Sequence, residues 1–489
     1  MSQRVCKSYK VLVGLEIHVQ LATASKMFTG AANGFGGEPN SQVDPVVLGL
    51  PGVLPVMNKK AVEYSIKVGM ALGCTIAKHT KWDRKSYYYP DLPKNYQISQ
   101  YDLPLAYEGA FEIPGDDGVP VRVRIRRAHL EEDAGKLLHE APGGYAIEGS
   151  IVDLNRAGTP LLEIVTEPDL TTPRQVAVFA QELQKLVQFL GVSEGQMQMG
   201  HMRFEPNINV HITDQDGNVH KTAITEIKNL NSFSVLERAT AYEVQRQIRE
   251  WEETGSLGKK STYGWDEPTE STFKQRDKEQ ANDYRYFPDP DLVPVEPSEA
   301  WLDSIRAQIG ELPAARRMRF TALLPSVAAK EIETIAGDRE IGDFFDAMVK
   351  GGAEPKQALN LMTKLREVAN EQNVPLIKLG IGPGRVAELA KLIAAQKVAP
   401  SNASAVFRKL REKDQPAESA AAEAGVIMAS DTGAIDAAID AMIAQNPKSL
   451  QDYKGGKQSA LGSLVGMVMK SGKGFNAKVV QERLKAKIG

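Results

Sequence analysis

This chain of 489 residues has very little cysteine and no long apolar run. It contains two cysteines, Cys6 and Cys74. These are too few for a disulfide framework or a four-cysteine zinc site, and their scarcity favours a reducing compartment. No run of about 18 apolar residues, the length of a membrane-spanning helix, is present. The N-terminal segment lacks the apolar core of a secretory signal. We therefore expect a cytoplasmic protein without a membrane segment.

A large excess of charge of one sign is also missing. The formal net charge is −3 at pH 7, with 42% hydrophobic and 25% charged residues. These ordinary values exclude a disordered or collagen-like chain. The charge is nevertheless uneven, because the segment 448–489 carries nine basic and two acidic residues, and all seven histidines lie before residue 221. The sequence therefore predicts regions of different chemistry, with a basic region at the C-terminus.

Three common catalytic motifs are missing as well. Gly-Lys pairs occur at 135–136, 258–259, 456–457 and 472–473, but none is followed by the serine or threonine of a P-loop. The HExxH motif of metalloproteases and the GxSxG motif of serine hydrolases do not occur. Neither cysteine lies in a recognisable nucleophile motif. Any use of ATP by this chain therefore requires another kind of site.

Short segments with alternating apolar residues fill the chain to about residue 297. Alternation with a period of two predicts strands, and two longer helices are expected at about 172–191 and 232–253. After a proline-rich hinge, apolar spacings of three and four predict helices through 301–397 and again in the last stretch. We expect an α+β fold, a largely antiparallel sheet with helices on one side, followed by helical regions. The predicted domains are 1–297, 298–410 and 411–489.

Polar side chains share one face of several predicted strands. In VLVGLEIHVQ the odd positions are apolar, so Glu16 and His18 lie on the other face, about 7 Å apart. The same alternation puts Glu163 on the polar face of its strand, and it puts Glu226 beside Lys228. One face of the sheet is then apolar, whereas the other carries carboxylates, amides and imidazole. A polar face of this kind is suited to a ligand rather than to a core.

Three further carboxylates, Glu131, Glu132 and Asp133, follow an alternating segment in HLEEDAGK. Carboxylates that converge to about 5 Å repel each other by roughly 3 kcal/mol at an effective dielectric constant near 20. A bound cation relieves this repulsion, and oxygen-rich ligands with one or two imidazoles favour Mg²⁺ or Mn²⁺ over zinc. The alternative is a set of solvated or salt-bridged strand charges, since Arg122, Arg124 and Arg126 are close in sequence.

Basic and aromatic residues are interleaved in HTKWDRKSYYYPDLPKNYQISQYD, at 79–102. Such a segment can bind nucleotide phosphates through its basic side chains and stack nucleobases on its rings. The alternative is a packing loop rich in tyrosine and proline. The residues alone leave both interpretations open.

Seven long motifs follow one another through about the first 294 residues. They are GLEIHVQL, LPGVLPVMNKKAVEYSIKVGMALGC, DRKSYYYPDLPKNYQISQYD, HLEEDAGK, VDLNRAGTPLLEIVTEPD, TEIKNLNSFSVLERA and DYRYFPDPDLVP. An eighth, DYKGGKQSALGSLVGMVMK, lies near the C-terminus. Together they closely resemble the family of B subunits of the aspartyl/glutamyl-tRNA amidotransferases, GatB. So many long motifs in one order make the resemblance highly specific.

The resemblance implies a fold, a reaction and partners. The implied fold is a cradle domain related to glutamine synthetase and guanido kinases, a helical domain, and a small YqeY-like tail domain that binds tRNA. In the implied reaction, ATP phosphorylates the side-chain carboxylate of Glu-tRNA(Gln) or Asp-tRNA(Asn), and ammonia displaces the phosphate. Mg²⁺ is the implied metal. The implied partners form a heterotrimer with this chain, in which the A subunit, an amidase, supplies ammonia and the small C subunit, a clamp, holds the other two together.

The resemblance also implies roles for individual residues. The residues expected to bind Mg²⁺ are Glu16, His18, Glu131, Glu132 and Glu163. The residues expected to take part in catalysis are Lys85, Glu132 and Glu226. The residues expected to bind the nucleotide are Arg84, Lys85, Arg203 and Lys228. Lys85, in DRKSYYYP, is expected to contact the phosphate or the transition state.

The chain departs from the family pattern at two places. Some members carry a cysteine pair just before LPGVLPV, where this chain has VDPVV at 43–47, so we expect no structural zinc. Many members have SLRCDVN where this chain has HMRFEPN at 201–207. The second departure changes the residues around Arg203 and Glu205.

Two other functions are weighed against this one. A non-catalytic scaffold that docks tRNA would not turn so many carboxylates toward phosphate, and it would show no ATP hydrolysis dependent on aminoacyl-tRNA. A stand-alone ligase of the glutamine synthetase kind would use free ammonium and would have no use for a basic tail. The pattern of acidic strand faces and basic tail favours the tRNA-dependent enzyme.

Overall fold

The computed structural model describes residues 4–141, 144–277, 281–428, 432–454, 459–471, 475 and 477–488. The chain forms two compact units, Met1–Leu312 and Pro313–Gly489. Within the described residues, the first unit combines strands with helices and the second is helical. Among those residues no helix has both the length and the apolarity that crossing a membrane requires.

Most strands of the first unit belong to one large sheet. The strands are β1 (Ser8–Gln20), β2 (Thr75–Ile76), β3 (Asp83–Ser86), β4 (Tyr96–Ser99), β5 (Ala106–Ile113), β6 (Val121–Glu132), β7 (Lys136–Ala141), β8 (Tyr145–Asp153), β9 (Pro160–Thr166), β10 (Met202–Thr213), β11 (Val219–Lys221), β12 (Thr225–Lys228), β13 (Ser261–Asp266), β14 (Ser271–Asp277) and β15 (Phe287–Pro288). The large sheet has the order β14-β13-β12-β10-β1-β9-β6-β5-β2, with β11 paired to β10. A small sheet has the order β15-β3-β4, and β7 pairs with β8. Within the large sheet β12 and β13 are parallel and the other described pairs are antiparallel.

Helices cover part of the first unit and make up the second. They are α1 (Lys59–Ala71), α2 (Pro173–Phe189), α3 (Phe233–Thr254), α4 (Glu299–Ile309), α5 (Pro313–Leu323), α6 (Ala329–Ala336), α7 (Arg339–Lys350), α8 (Pro355–Glu371), α9 (Pro383–Ala394), α10 (Ala403–Glu412), α11 (Ala417–Glu423), α12 (Thr432–Gln445), α13 (Pro447–Lys454), α14 (Ser459–Ser471) and α15 (Ala477–Ile488). The mostly antiparallel sheet followed by helices confirms the coarse α+β prediction. The relationship to glutamine synthetase and guanido kinases stays a prediction.

One face of the large sheet is apolar because its central strands alternate. On β1, Val13, Leu15 and Ile17 are buried in the same hydrophobic core as residues of α2 and α3. α2 begins after Thr172, whose hydroxyl accepts a hydrogen bond from the N–H of Gln175 at 3.1 Å. A threonine cap followed by proline is a strong signal for a helix start. The helices therefore pack on the apolar face and leave the polar side chains on the other face.

The first unit extends beyond residue 297, where the proline-rich hinge predicts a boundary. α4 follows the hinge and packs against α1. Its residues Leu302, Ile305 and Ile309 are buried in the core of the first unit. The hinge therefore connects two packed elements, and the unit ends at Leu312.

The predicted boundary at residue 410 also differs from the packing of the second unit. Ala417, Ala420 and Ala421 on α11 are buried in one hydrophobic cluster with the preceding helices. A second cluster begins at Ile435 on α12 and includes residues of α14 and α15. The change from one cluster to the other falls after α11, because the small side chains of α11 let it pack closely on α9 and α10.

A glycine on β5 tests how tightly this edge of the sheet is packed. A Cβ at Gly109 would lie 2.5 Å from Sγ of Cys74 and 2.5 Å from the carbonyl oxygen of Leu72. Because one of these atoms is backbone, the chain itself would have to move. We expect Gly109→Ala to lower the free energy of unfolding by about 1–3 kcal/mol, as measured by chemical denaturation followed by circular dichroism. The control is Gly30→Ala, where a Cβ would meet no atom of the described residues within 4 Å. An equal loss in both variants would contradict the prediction.

Candidate active site

Four ionisable residues form one row across the centre of the large sheet. His18 on β1 lies opposite Arg203 on β10 and opposite Glu163 on β9. Glu163 in turn lies opposite His129 on β6. Directly opposed residues of antiparallel strands project from the same face of a sheet. The residues that alternate with these four lie in the apolar core, so the row occupies the face that α2 and α3 leave uncovered.

Carboxylates surround the imidazole of His18. Its Nε2 lies 3.6 Å from Oε2 of Glu163 and 3.8 Å from Oε1 of Glu131. The same Nε2 lies 4.0 Å from Oε1 of Glu16, and Nδ1 lies 4.0 Å from Oε1 of Glu205. The side chains of Glu131 and Glu163 are only 3% and 6% exposed. Four carboxylates therefore meet at one imidazole, and two of them are almost inaccessible to water.

His18 and His129 differ in protonation although both lie close to Glu163. Burial by itself lowers the pKa of His18, but the close contact with Glu163 and the charge of Glu205 outweigh burial and raise this pKa to about 9. For His129 burial dominates and lowers the pKa to about 4, although its Nε2 lies 3.7 Å from Oε2 of Glu163. In the absence of a cation, His18 is therefore protonated at neutral pH, whereas His129 is a neutral imidazole. A metal bound to His18 would displace its proton.

Three overlapping groups of described residues can hold a divalent cation. In each group one ligand atom per residue lies within 4.8 Å of the others. The groups are Glu16, His18 and Glu163; His129, Glu131 and Glu163; and Glu16, Glu205 and Glu226. The Nδ1 atoms of both histidines are buried and have no hydrogen-bond partner among the residues that the structure describes. Carboxylate oxygens with few imidazole nitrogens suit Mg²⁺ or Mn²⁺, so this donor set fits the expected metal.

The small sheet brings Lys85 to the carboxylates. Lys85 lies on β3, and its Nζ is 4.0 Å from Oε2 of Glu131. Ser99 on β4 donates a hydrogen bond to the same oxygen at 3.2 Å. Burial lowers the pKa of Lys85, but Glu131, Tyr286 and Glu163 outweigh burial and raise this pKa well above its ordinary value. Lys85 is therefore a lasting positive charge beside the buried carboxylates.

Arg203 and Lys228, two residues expected to bind the nucleotide, also lie at the carboxylates. Arg203 donates a hydrogen bond to Asp133 at 2.8 Å. Lys228 donates to Glu205 at 2.8 Å and lies 3.9 Å from Oε2 of Glu226. Carboxylates thus hold both cations in place on the polar face. Glu226 and Lys228 lie together there, as the strand pattern predicts.

Glu132 does not join these carboxylates, in contrast to its expected roles in metal binding and catalysis. It alternates with Glu131 on β6 and therefore points to the opposite face. There its carboxylate accepts hydrogen bonds from Lys94 and, at 3.0 Å, from the N–H of Ile98. Among the described residues, none of the groups able to hold a metal includes Glu132.

Arg84 is also directed away from the carboxylates, although it was expected to bind the nucleotide. It alternates with Lys85 on β3, and its guanidinium donates to Asp289 at 2.8 Å and to Asp291 at 3.0 Å. The guanidinium also lies over the ring of Tyr96. Two carboxylates far along the chain therefore neutralise Arg84.

Salt bridges form beside the site, as the alternative interpretation of the strand charges predicts. Arg124 pairs with Asp169 at 2.6 Å, and Arg126 pairs with Glu167 at 2.8 Å. The salt-bridge interpretation therefore holds for these exposed arginines. The buried carboxylates are also paired in part, since Lys85 lies 4.0 Å from Glu131 and Arg127 lies 3.5 Å from Oε1 of Glu163.

His129 and Glu205 belong to the site although neither is among the residues expected from the sequence. His129 precedes Glu131 by two positions on β6, so alternation alone could have placed both on one face. Glu205 meets Glu16 only through the pairing of β10 with β1, and no local pattern contains that information.

Comparisons with known proteins identify the family of the chain. A family model described as "GatB/GatE catalytic domain" matches residues 11–303, and one described as "GatB domain" matches residues 343–488. The B subunit of the aspartyl/glutamyl-tRNA(Asn/Gln) amidotransferase of Carboxydothermus hydrogenoformans is 42% identical over 485 residues, which is 99% of each chain. The proteins of the same name from Trichormus variabilis and Thermodesulfovibrio yellowstonii are 43% and 41% identical. These alignments cover 98% and 97% of this chain and 98% of each relative.

The match to a catalytic domain spans the whole acidic sheet face, and the second match spans most of the helical unit. The protein is therefore of the class of tRNA-dependent amidotransferase subunits. The chain belongs to GatB, the family of B subunits of the aspartyl/glutamyl-tRNA(Asn/Gln) amidotransferases. The family membership inferred from the sequence motifs is confirmed.

The adjacent residues Glu131 and Glu132 provide a matched test of the metal site. Glu131→Gln removes a charged ligand, so we expect the affinity for Mn²⁺ or Mg²⁺ to fall roughly tenfold or more. Glu132→Gln removes the same charge from the other face and should leave the affinity close to that of the unchanged protein. Manganese titration of the assembled amidotransferase, followed by electron paramagnetic resonance, measures both. Equal losses, or a loss in Glu132→Gln alone, would show that the site is assigned to the wrong face.

Proposed function

We propose that this chain is the subunit of a tRNA-dependent amidotransferase that activates Glu-tRNA(Gln), Asp-tRNA(Asn) or both with ATP, and then amidates them for translation. The observation that carries the proposal is the cluster of Glu16, His18 and the buried Glu131 and Glu163 beside Lys85. These residues lie within the segment that matches the family's catalytic domain. A surface that only docked RNA would gain nothing from carboxylates turned toward phosphate.

The first step transfers a phosphoryl group. An oxygen of the substrate's side-chain carboxylate attacks the γ-phosphorus of ATP, the bond to the bridging oxygen breaks, and ADP leaves. The product is an acyl phosphate, in which a poor electrophile has gained a good leaving group. Mg²⁺ held by the carboxylates and an imidazole would supply the charge neutralisation that this transfer requires. The protein's own contribution is to position the two substrates and to balance their charge.

Lys85 is the residue best placed to contact the transferred phosphoryl group. Its ammonium lies 4.0 Å from Glu131 in a buried position. It stays protonated because the surrounding charges raise its pKa more than burial lowers it. Arg203 and Lys228 are held by carboxylates of other segments. Cations that are fixed before the substrate arrives need no reorganisation during the reaction, and this preorganisation lowers the barrier. We therefore assign binding and orientation of the phosphates to these three side chains.

In the second step ammonia attacks the acyl carbon and phosphate leaves with the bonding electron pair. The nitrogen then loses a proton, which gives Gln-tRNA(Gln) or Asn-tRNA(Asn). Glu226 is the proposed acceptor of that proton. Its Oε2 accepts a hydrogen bond from the hydroxyl of Thr262 at 2.8 Å and lies 3.9 Å from Nζ of Lys228. These contacts orient its carboxylate on the polar face.

The shared name of the relatives describes each of them as one subunit of a larger enzyme, which supports an assembly with other subunits. We propose a heterotrimer in which the A subunit, an amidase, releases ammonia from glutamine and the small C subunit, a clamp, holds the other two together. The proposed cofactors are ATP and Mg²⁺, without structural zinc. Metal analysis that found one zinc per chain would contradict the last point.

Replacement of Lys85 tests where the activation takes place. We expect Lys85→Ala to lower the rate of Gln-tRNA(Gln) formation about 100-fold or more, because the phosphoryl group loses its fixed cation. The assay uses the assembled amidotransferase with its amidase inactivated, Glu-tRNA(Gln), Mg²⁺-ATP and ammonium, and follows phosphate release together with product. The control is Lys78→Ala, which changes an exposed lysine. Full activity of Lys85→Ala would favour the alternative, a non-catalytic scaffold that docks tRNA.

The basic C-terminal region is the proposed contact for tRNA outside the active site. Of its nine basic residues, Lys457 and Lys473 lie outside the described residues. Arg483 pairs with Asp436, and Lys487 pairs with Asp440 at 2.6 Å. These two pairs hold α15 to α12. The exposed side chains of Lys470 and Lys485 are the proposed phosphate contacts, which add affinity without reading sequence.

Deletion of residues 432–489 tests this contact. We expect the Michaelis constant for aminoacyl-tRNA to rise and its salt dependence to become weaker, because fewer counterions are released on binding. Steady-state kinetics at several salt concentrations measure both. A deletion that began after Leu410 would remove α11 from the hydrophobic cluster of the preceding helices and would disturb folding. If the Michaelis constant and its salt dependence were both unchanged, the proposed contact between this region and tRNA would be contradicted.

A further inference from the structure

Four tyrosines from two distant segments form a continuous array of rings beside the buried carboxylates. Tyr101 and Tyr286 stack with centroids 4.2 Å apart and an angle of 9° between their planes. Tyr286 contacts Tyr284 edge to face at 6.0 Å, and Tyr284 contacts Tyr87 in the same way at 6.0 Å. We call Tyr87, Tyr101, Tyr284 and Tyr286 the aromatic wall. It unites the tyrosine-rich segment at 79–102 with the DYRYFPDPD motif.

The inner end of the aromatic wall lies at the active site. Nζ of Lys85 is 5.1 Å from the centroid of the Tyr284 ring and 4.0 Å from Oε2 of Glu131. Burial raises the pKa of Tyr286 to about 12, and the charges of Lys85, Glu131 and Glu163 are close enough to act on it. The phenol of Tyr286 is therefore neutral at physiological pH, and the ring is an uncharged surface next to charged groups.

The outer end of the aromatic wall is exposed. Tyr101 is 44% exposed although Tyr286 covers one face of its ring. Beside the wall, Tyr88 is 70% exposed and lies 5.6 Å from the guanidinium of Arg285. Arg285 has a φ of +47°, a conformation that costs energy for a residue with a side chain and persists where the surroundings require it. Only Trp82 of this segment's aromatic residues is fully buried, so a packing role does not account for the exposed rings.

We propose that the aromatic wall is a stacking platform for an adenine base, with Tyr101 as its outer surface. The proposal rests on the proposed function, because both substrates carry this base. One adenine belongs to ATP, and the other is the terminal adenosine of the tRNA, to which the amino acid is esterified. Stacking on a tyrosine ring serves either base, since each offers a flat π surface. In either case the base lies on the rings, while phosphate or the aminoacyl group extends toward Lys85 and the carboxylates.

The first test compares two substitutions of Tyr101 in the assembled amidotransferase. Tyr101→Ala removes the ring, whereas Tyr101→Phe keeps it. With ammonium as donor, the Michaelis constants for Mg²⁺-ATP and for Glu-tRNA(Gln) are measured separately. We expect Tyr101→Ala to raise one of the two Michaelis constants about tenfold, a larger change than its effect on kcat. Tyr101→Phe should keep that Michaelis constant close to the value of the unchanged assembly. The control is Tyr9→Ala, which removes a ring that is 49% exposed at the start of β1.

The two sources of adenine give different results. A rise confined to Mg²⁺-ATP, together with weaker inhibition by ADP but not by pyrophosphate, assigns the wall to the adenine of ATP. A rise confined to Glu-tRNA(Gln) assigns it to the terminal adenosine. Unchanged constants in Tyr101→Ala, or an equal loss in Tyr101→Phe, overturn the proposal.

A second measurement does not depend on the stability of any variant. 2-Aminopurine replaces adenine either in the nucleoside triphosphate or at the 3′ end of the tRNA, and its fluorescence is followed on binding to the unchanged assembly. Stacking on the wall quenches one of the two probes, and absence of quenching for both overturns the proposal. Failure of the proposed function is distinct, because the unchanged assembly would then form no Gln-tRNA(Gln) with Mg²⁺-ATP.

Discussion

The carboxylate of Glu163 lies between the imidazoles of His18 and His129, and the arrangement of the active site depends on how this buried charge is balanced. A charge withdrawn from water is costly unless it is paired. Protonated His18, Arg127 and the nearby cation Lys85 provide the balance, while neutral His129 keeps a nitrogen available as a metal ligand. The balance requires three strands in one register, so the chemistry of the site depends directly on the pairing of β1, β9 and β6.

The apolar core fixes that register. Because side chains alternate along a strand, a shift by one residue would turn every apolar side chain of β1 toward the polar face. The burial of Val13, Leu15 and Ile17 therefore determines where Glu16 and His18 project. The same alternation separates Glu131, which faces the site, from Glu132, which Lys94 binds on the opposite face. Neighbours in sequence thus belong to different environments.

The small sheet completes the site from a different direction. On one face of β3, Lys85 lies beside the carboxylates. On the other face, Arg84 forms a salt bridge with Asp289, next to β15. This pairing holds the segment that contains Tyr284 and Tyr286 against the tyrosine-rich segment. Charge and aromatic surface therefore adjoin one another at the site. The described helices that carry the C-terminal basic residues pack around a separate hydrophobic cluster of the second unit. The proposed binding of the tRNA body and the proposed chemistry at its aminoacylated end therefore fall on different parts of the chain.

Local patterns in the sequence determined the α+β class, the antiparallel sheet, the positions of α2 and α3, and the polar face that carries Glu16, His18 and Glu163. These features follow from alternation and helix signals within a few residues of one another. The long motifs determined the family. Tertiary structure alone decided that Glu205 meets Glu16 and that Asp289 neutralises Arg84. It also decided that the first unit ends at Leu312. Each of these depends on contacts between segments distant in the chain, and the spacing of residues along one strand or helix carries no information about them.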